Sequence, residues 1–325
     1  MTKRLRHRLI LLVFVLLIGI YGVLVFYIYR SALLPSTALE TLDDAKAKLT
    51  EQYDMPFDAF AAPLGAPEFF TVQTNDGFTL SGSFYQHPNN TGSDNALCGL
   101  IFLHGSGVNR INSLHFVHTL WERGCDLVIY DQRTWGESEG DYVTYGFYEK
   151  QDLLIVTNWL QEKSSLTESQ IAWAGISLGG AVALQAAPLA PDIAFILADS
   201  SYQDLRTAIG DRLPSPLKSV EPFLMTPVFW LLNLTAGYIP AEASPYLAAQ
   251  SIASPVLLIH SQADTATLPY NSVDIASQLD SENHVLHLTE WGSRHGWDSI
   301  NFPDDYKALV DAFIDEYVGN FGLAP

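Results

Sequence analysis

Two segments of the chain place a serine between glycines in the pattern Gly-x-Ser-x-Gly: Gly136-Glu137-Ser138-Glu139-Gly140 and Gly175-Ile176-Ser177-Leu178-Gly179. With Gly and Ser each about 7% of average sequence, the pattern arises by chance in about one chain in ten of this length, so the flanks decide. A serine that attacks a carbonyl needs a tight turn between a strand and a helix, with its Oγ lifted clear of the sheet. The second copy has that setting, because an apolar run at 171–174 enters it directly and Gly180-Ala181-Val182-Ala183-Leu184 leaves it as a helix. Ser138 stands well past the strand that ends near Asp131, has an acid on either side, and reads as a loop serine.

A serine hydroxyl is a weak nucleophile and needs a base oriented by a carboxylate. Of nine histidines, His7 lies in a basic tail, His115 and His118 on a helix face, and His284 and His287 in the last strand, and none of these needs a role. His295 lies in Gly292-Ser293-Arg294-His295-Gly296, a flexible loop just after that strand, from which an imidazole returns over the sheet edge. For the carboxylate, Asp264 follows the run 256–259 in a loop at a strand's carboxyl end, and Asp199 follows another strand as its rival. Acyl transfer also needs N–H donors for the developing oxyanion. Leu178 N–H, opening the helix after Ser177, is one. The other is expected from His104-Gly105-Ser106-Gly107, where Ser106 N–H is favoured over Gly107 and His104 braces the loop. No His-Glu-x-x-His and no Cys pair at metal spacing occurs, so neither a metal nor any other cofactor is expected. A nucleotide is unlike this chain, since Arg110 stands where the last Gly of Gly-x-Gly-x-x-Gly belongs.

The elements around these residues alternate. Apolar runs at 69–74 and 78–85 flank Asn75-Asp76-Gly77, an Asp-Gly hairpin signal. Further strands are read at 97–103, 127–130, 171–174, 193–198, 256–259 and 284–288, with helices near 113–123, 149–161, 178–189 and 304–317. About eight strands with helices between the later ones make a mainly parallel α/β sheet. Between 198 and 256 lie more than fifty residues without a strand, holding Pro214, Pro216, Pro222 and Pro227, and a lid is expected at about 200–250. Within it Phe223-Leu224-Met225 and Val228-Phe229-Trp230-Leu231-Leu232 are apolar, too short to span a bilayer but able to line an acyl pocket or touch a membrane interface.

From 69 to about 318 the chain resembles an α/β-hydrolase serine hydrolase, similar to membrane-anchored bacterial members with a serine aminopeptidase-like hydrolase domain. The likeness is carried in order by Thr74-Asn75-Asp76-Gly77 with Leu80, the His104-Gly105 loop, Gly175-Ile176-Ser177-Leu178-Gly179, and Pro255 to Asp264 with a late His295. Asp131-Gln132-Arg133-Thr134-Trp135-Gly136-Glu137-Ser138 resembles the family's Asp-x-Arg-Gly-x-Gly-x-Ser loop with Thr134 in place of Gly, and His260-Ser261 replaces its common His-Gly. The resemblance implies an α/β-hydrolase fold with helices on both faces of an eight-stranded sheet and a small helical lid. It also implies a Ser177, Asp264, His295 triad acting through an acyl-enzyme, whose substrate is a small-molecule or lipid ester, with a peptidase or a non-catalytic binding module as alternatives.

The chain has 325 residues, 48% hydrophobic and 16% charged, with a formal charge of −19. These values exclude a disordered chain and a nucleic-acid partner, which needs a basic face. Lys3, Arg4, Arg6 and Arg8 precede an uncharged run at 9–29, and the remainder carries 13 basic and 36 acidic residues. Those 21 residues span about 31 Å, one hydrocarbon core. A single-pass anchor is expected, with residues 1–30 as basic tail and span, 31–67 as stalk and 68–325 as the hydrolase domain. The basic flank puts the N-terminus in the cytoplasm and the domain outside, which is the periplasm in a Gram-negative cell. A signal peptide cut after Ala38 is the competing reading. Cys98 and Cys125 lie in apolar runs and read as core thiols.

Overall fold

The computed structural model describes residues 3–34, 40–53, 56–90 and 97–322. The alternative cleavage point after Ala38 and the end of the polar loop before β3 lie outside them. Eight strands form one sheet in the order β1-β2-β4-β3-β5-β6-β7-β8: β1 Glu68–Gln73, β2 Thr79–Tyr85, β3 Gly99–Leu103, β4 Asp126–Tyr130, β5 Ile171–Ile176, β6 Ile196–Asp199, β7 Val256–Ser261 and β8 His284–Thr289. β1 pairs antiparallel with β2, and β2 with β4; every other pairing is parallel. The opening hairpin turns where the sequence places it, with Gly77 at φ +90°.

The strands β3, β4, β6 and β7 are buried along their whole length and mainly apolar because both of their faces are covered. In β3, Ile101 and Leu103 face a core built with Leu153, Val156 and Leu160 of the helix Glu149–Ser164. Leu100 and Phe102 face a second core with Tyr306, Val310, Phe313 and Ile314 of the closing helix Pro303–Tyr317. The stretch expected as one helix near 113–123 is broken into a 3-10 segment Arg110–Phe116, a short α-helix Val117–Leu120 and a 3-10 turn Trp121–Arg123. Its start is held elsewhere: Arg110 is buried, its backbone N–H donates to Asp131 Oδ1 at 2.7 Å, and its guanidinium pairs with Asp131 and Glu137.

Cys98 and Cys125 are not free core thiols; they form a disulfide. Each stands at the entrance of a strand, and β3 and β4 are parallel neighbours, so the two entrances meet with Cα atoms 4.5 Å apart. The bond closes a loop across a separation of 27 residues, which in the chain-entropy account stabilises the fold by about 3 to 4 kcal/mol. Thiol titration of the oxidised protein in denaturant should find no free cysteine, and the Cys98→Ala, Cys125→Ala pair should lower unfolding free energy by about that amount. Two titratable thiols in the native protein would refute the bond.

One described helix is long and apolar enough to cross a membrane, Lys3–Leu33, and 6% of its most apolar window is buried. Its burial is confined to the C-terminal third. Val25, Ile28, Ala32 and Leu33 pack with Leu224, Met225, Val228 and Leu232 of the lid helix Glu221–Ala236. The segment between β6 and β7 is helical as expected for a lid, but Phe223, Trp230 and Leu234 face outward, 71%, 64% and 67% exposed.

Candidate active site

The sharp turn from β5 into the helix Leu178–Ala186 holds Ser177 at φ 54° and ψ −114°, a conformation a non-glycine residue adopts only under restraint. The restraint is visible. Ser177 N–H donates to Asp199 O at 2.8 Å, and Ser177 O accepts from Ala181 N at 3.0 Å. The flanking glycines are there for contact: a Cβ on Gly175 would lie 2.3 Å from Gly179 C, and one on Gly179 would lie 2.2 Å from Leu103 O. Any side chain at either position would push the helix off the strand.

Ser177 and His295 line one cavity of about 180 Å³, together with His104, Gly105, Ser106 and Trp297. His295 Nδ1 donates to Asp264 Oδ2 at 2.6 Å, which leaves its Nε2 free to accept a proton. Asp264 is 2% exposed and surrounded by donors. Its Oδ1 accepts from Ala266 N at 2.8 Å and Thr267 N at 3.1 Å. Burial works to raise its pKa, but hydrogen bonds from His260 and His295 outweigh it and hold the carboxyl well below the usual carboxylate range. The aspartate stays ionised beside the imidazole.

Asp199 is engaged elsewhere. It accepts from Ser200 Oγ at 2.7 Å and Tyr306 OH at 2.9 Å, and burial pushes its pKa up to about 6. Ser138 also has both hydroxyl functions committed, donating to Asp131 O at 2.6 Å and accepting from Ser81 N at 2.9 Å. The structure therefore brings Ser177, His295, Asp264, Leu178 and Ser106 to one place and sets Asp199 and Ser138 outside that constellation.

The backbone of the cavity wall at Gly105 and Ser106 rests on His104. Gln132 N–H donates to His104 Nε2 at 3.0 Å, so the ring proton sits on Nδ1 and is donated to Gly105 O at 2.7 Å. Burial lowers the His104 pKa and keeps this tautomer neutral. Because C=O and N–H of a trans peptide point in opposite directions, fixing Gly105 O also fixes the direction of Ser106 N–H. Gly107, at φ +85°, then turns the chain away.

Both departures from the family pattern have an observable consequence. Thr134 adopts φ 71° where a glycine is unstrained, and its buried Oγ1 has no hydrogen-bond partner among the described residues. Ser261 Oγ donates to Ser293 O at 2.6 Å, tying the loop of Asp264 to the loop of His295.

Three neighbours are given no role by the sequence. His260 is fully buried; its Nε2 lies 2.9 Å from Thr267 O and 3.3 Å from Asp264 Oδ2, so that nitrogen carries the proton, and Ser272 Oγ donates to Nδ1 at 2.7 Å. Gln52, from the helix Leu42–Tyr53 in the lead-in segment, lines the cavity. So does His115, which the sequence leaves without a role: Nδ1 is bonded to Asn112 O, Nε2 is buried without a partner among the described residues, and burial lowers its pKa to about 4. A larger cavity of about 380 Å³, lined by Arg133, Tyr148 and Asp152 among others, shares no residue with this one. Its buried charges are spent on each other, since Arg133 is bonded to Asp76 and Asp152. No residue of the lid lines the Ser177 cavity. The apolar lid residues are therefore not its acyl wall. Among the described residues no cluster of His, Cys, Asp or Glu is arranged to hold a metal ion.

Comparison with known proteins identifies the family. The chain is 28% identical to YqkD of Bacillus subtilis (strain 168), covering 76% of this chain and 78% of that one. It is 26% identical to YfhR of Escherichia coli (strain K12), covering 74% and 77%. Among solved structures, the Pyrococcus furiosus esterase Pf2001 superposes with a TM-score of 0.63 at 23% identity, over 80% of this chain and 94% of that one. The Pyrococcus horikoshii acylaminoacyl peptidase superposes with a TM-score of 0.57 at 15% identity, over 80% of this chain and 43% of that one, and at these identities the likeness is one of fold. The model of the X-Pro dipeptidyl-peptidase (S15) family matches residues 45–212, and that of the prolyl oligopeptidase family matches residues 133–321. With more than half its length matched by the latter, the chain belongs to the prolyl oligopeptidase family and is a serine hydrolase of the α/β-hydrolase fold.

Proposed function

We propose that the protein is a membrane-anchored esterase in which Ser177 Oγ attacks the substrate carbonyl while His295 Nε2 takes its proton. Asp264 orients the imidazole and stabilises the imidazolium that forms. Leu178 N–H and Ser106 N–H hold the oxyanion. Collapse of the tetrahedral intermediate passes the proton from His295 to the leaving alcohol and leaves an acyl-Ser177 ester. Water, activated by the same imidazole, then releases the acid. The observation that carries this reading is the 2.6 Å bond between His295 and an ionised, buried Asp264 beside a serine held in a strained elbow.

The anchored reading rests on the helix Lys3–Leu33, and its orientation on Lys3, Arg4, Arg6 and Arg8 against Arg30. Two further features support it. The end of that helix is packed into the protein, as a retained segment is and a discarded leader is not. The disulfide suits an oxidising compartment outside the cytoplasm. An anchor beside lipid favours a lipophilic ester, whereas the family match favours an amide, so a peptidase is the second reading. The full chain in vesicles should hydrolyse octanoyl esters at least about tenfold faster than acetyl esters, since each methylene buried contributes about 0.8 kcal/mol. Turnover of aminoacyl or prolyl amides above all esters would move the function to the second reading.

A further inference from the structure

We infer that the lid helix Glu221–Ala236 is itself a membrane element, lying beside the anchor in the outer leaflet with its apolar face among phospholipid acyl chains. The inference rests on the anchored reading and adds to it a second segment in contact with lipid.

The two helices run side by side in the same direction. Tyr21 OH donates to Phe223 O at 2.6 Å, and Tyr29 OH donates to Thr235 Oγ1 at 2.9 Å. Between these bonds runs the apolar seam of Val25 and Ile28 against Leu224, Val228 and Leu232. Tyr21 lies eight residues before Tyr29, about 12 Å along a helix. A hydrocarbon boundary that falls between Tyr21 and Tyr29 therefore puts the start of the lid helix below the outer surface by less than that distance. The outward residues Phe223, Trp230 and Leu234 then continue the exposed apolar surface of the anchor, where Val23, Phe26 and Tyr27 also point outward.

Polar groups in this helix are satisfied in the way lipid demands, within the protein. Pro227 has no N–H, so the Phe223 carbonyl four residues earlier lacks its helical donor. Tyr21 supplies the missing hydrogen bond. Thr226 Oγ1 donates to Pro222 O at 2.8 Å, Thr235 Oγ1 to Leu231 O at 2.8 Å, and Asn233 Nδ2 to Tyr238 O at 2.8 Å. No charged residue occurs from Pro222 to Pro240. The charges at the helix start limit the depth: Arg206 and Glu221 neutralise each other through two 2.7 Å bonds, and Lys218 can extend its apolar stem toward the phosphates. Insertion of about 5 to 10 Å, the usual depth of an interfacial helix, fits these constraints. Arg30 and Arg212, both exposed, lie above the seam, where Arg212 shares a cavity of about 220 Å³ with Tyr27 and Ser31, and they suit the headgroup level. This apolar contact also offsets the repulsion between a strongly acidic domain and anionic lipid.

The test uses the full chain in phosphatidylcholine and phosphatidylglycerol vesicles, with a nitrobenzoxadiazole probe on Phe223→Cys or, as the aqueous control, on Phe69→Cys of the edge strand β1. Both positions are exposed, and the native cysteines are held in their disulfide. The probe at 223 should be blue-shifted and quenched several-fold more by acyl-chain spin labels than the probe at 69, while aqueous iodide quenches only the latter. Equal iodide quenching at both sites in protein that still floats with the vesicles would overturn the inference. So would protection at 223 from both quenchers, which would place a second copy there. Failure to float with vesicles would instead remove the anchored reading beneath it.

Discussion

Ser177→Ala is expected to leave a folded protein that neither reacts with a fluorophosphonate nor turns over any ester, a loss on the order of 10⁶ in kcat by analogy with other serine hydrolases. The expectation follows from the elbow. Its strained backbone is set by Gly175, Gly179 and the bond to Asp199 O, none of which involves the Ser177 hydroxyl, so alanine keeps the turn and loses the attacking atom. Ser138→Ala is the matched control. It removes an acceptor from Ser81 N–H and a donor to Asp131 O, at a cost of about 1 to 3 kcal/mol in stability, yet labelling and turnover should persist. Retained labelling in Ser177→Ala would remove the proposed mechanism and leave the serine hydrolase chemistry to another residue.

The second large effect separates the two candidate acids. Asp264 accepts from two backbone N–H groups on one oxygen and from His295 and His260 on the other. An asparagine at that position keeps its single oxygen for the backbone donors and turns its amide toward the histidines. His295 must then present an unprotonated Nδ1 and carry its proton on Nε2, where it can no longer accept from Ser177. Asp264→Asn should lower kcat by about 10⁴ through this wrong tautomer, with little effect on KM. His295→Ala should show a loss of at least that size. Asp199→Asn replaces the acceptor for Tyr306 and Ser200, and should cost stability while leaving kcat within about tenfold, the scale of one misplaced neutral hydrogen bond. A larger kcat loss from Asp199→Asn in folded protein would reverse the assignment.

What the amino-acid sequence disclosed, it disclosed where the cause is local. Gly175 and Gly179 mark the elbow because the backbone there tolerates no Cβ, and Asp76-Gly77 marks the hairpin because the turn needs a positive φ. The cysteine pairing is not legible in the sequence because it depends on which strands become neighbours. A strand entrance looks like any other apolar position until β3 lies beside β4. Gln52 and His115 reach the site through packing of distant segments and carry no spacing signal of their own, while His260 stands in the motif of Asp264 but meets its carboxylate only once the loop after β7 is folded. The lid residues were identified by composition alone, which reports that a segment is apolar but not which way its side chains face. Their outward direction follows from the docking of the lid on a helix almost two hundred residues earlier in the chain.

The helix Leu42–Tyr53 has a practical bearing on how a soluble form of this protein should be cut. Ala45 and Leu49 are buried against the hydrolase body, and Gln52 reaches the cavity wall. Asn109 Nδ2 donates to the carbonyls of Glu40 and Thr41 at 3.0 and 3.1 Å, and Asn112 Nδ2 donates to Glu40 Oε2 at 2.6 Å. Trimming to residue 68, where the first strand begins, would yield a complete sheet with one side of its active-site entrance missing and apolar surface newly bare. A cut just before Glu40 retains the entrance, and the difference in turnover between the two forms measures how much of the enzyme resides in what reads as its tether.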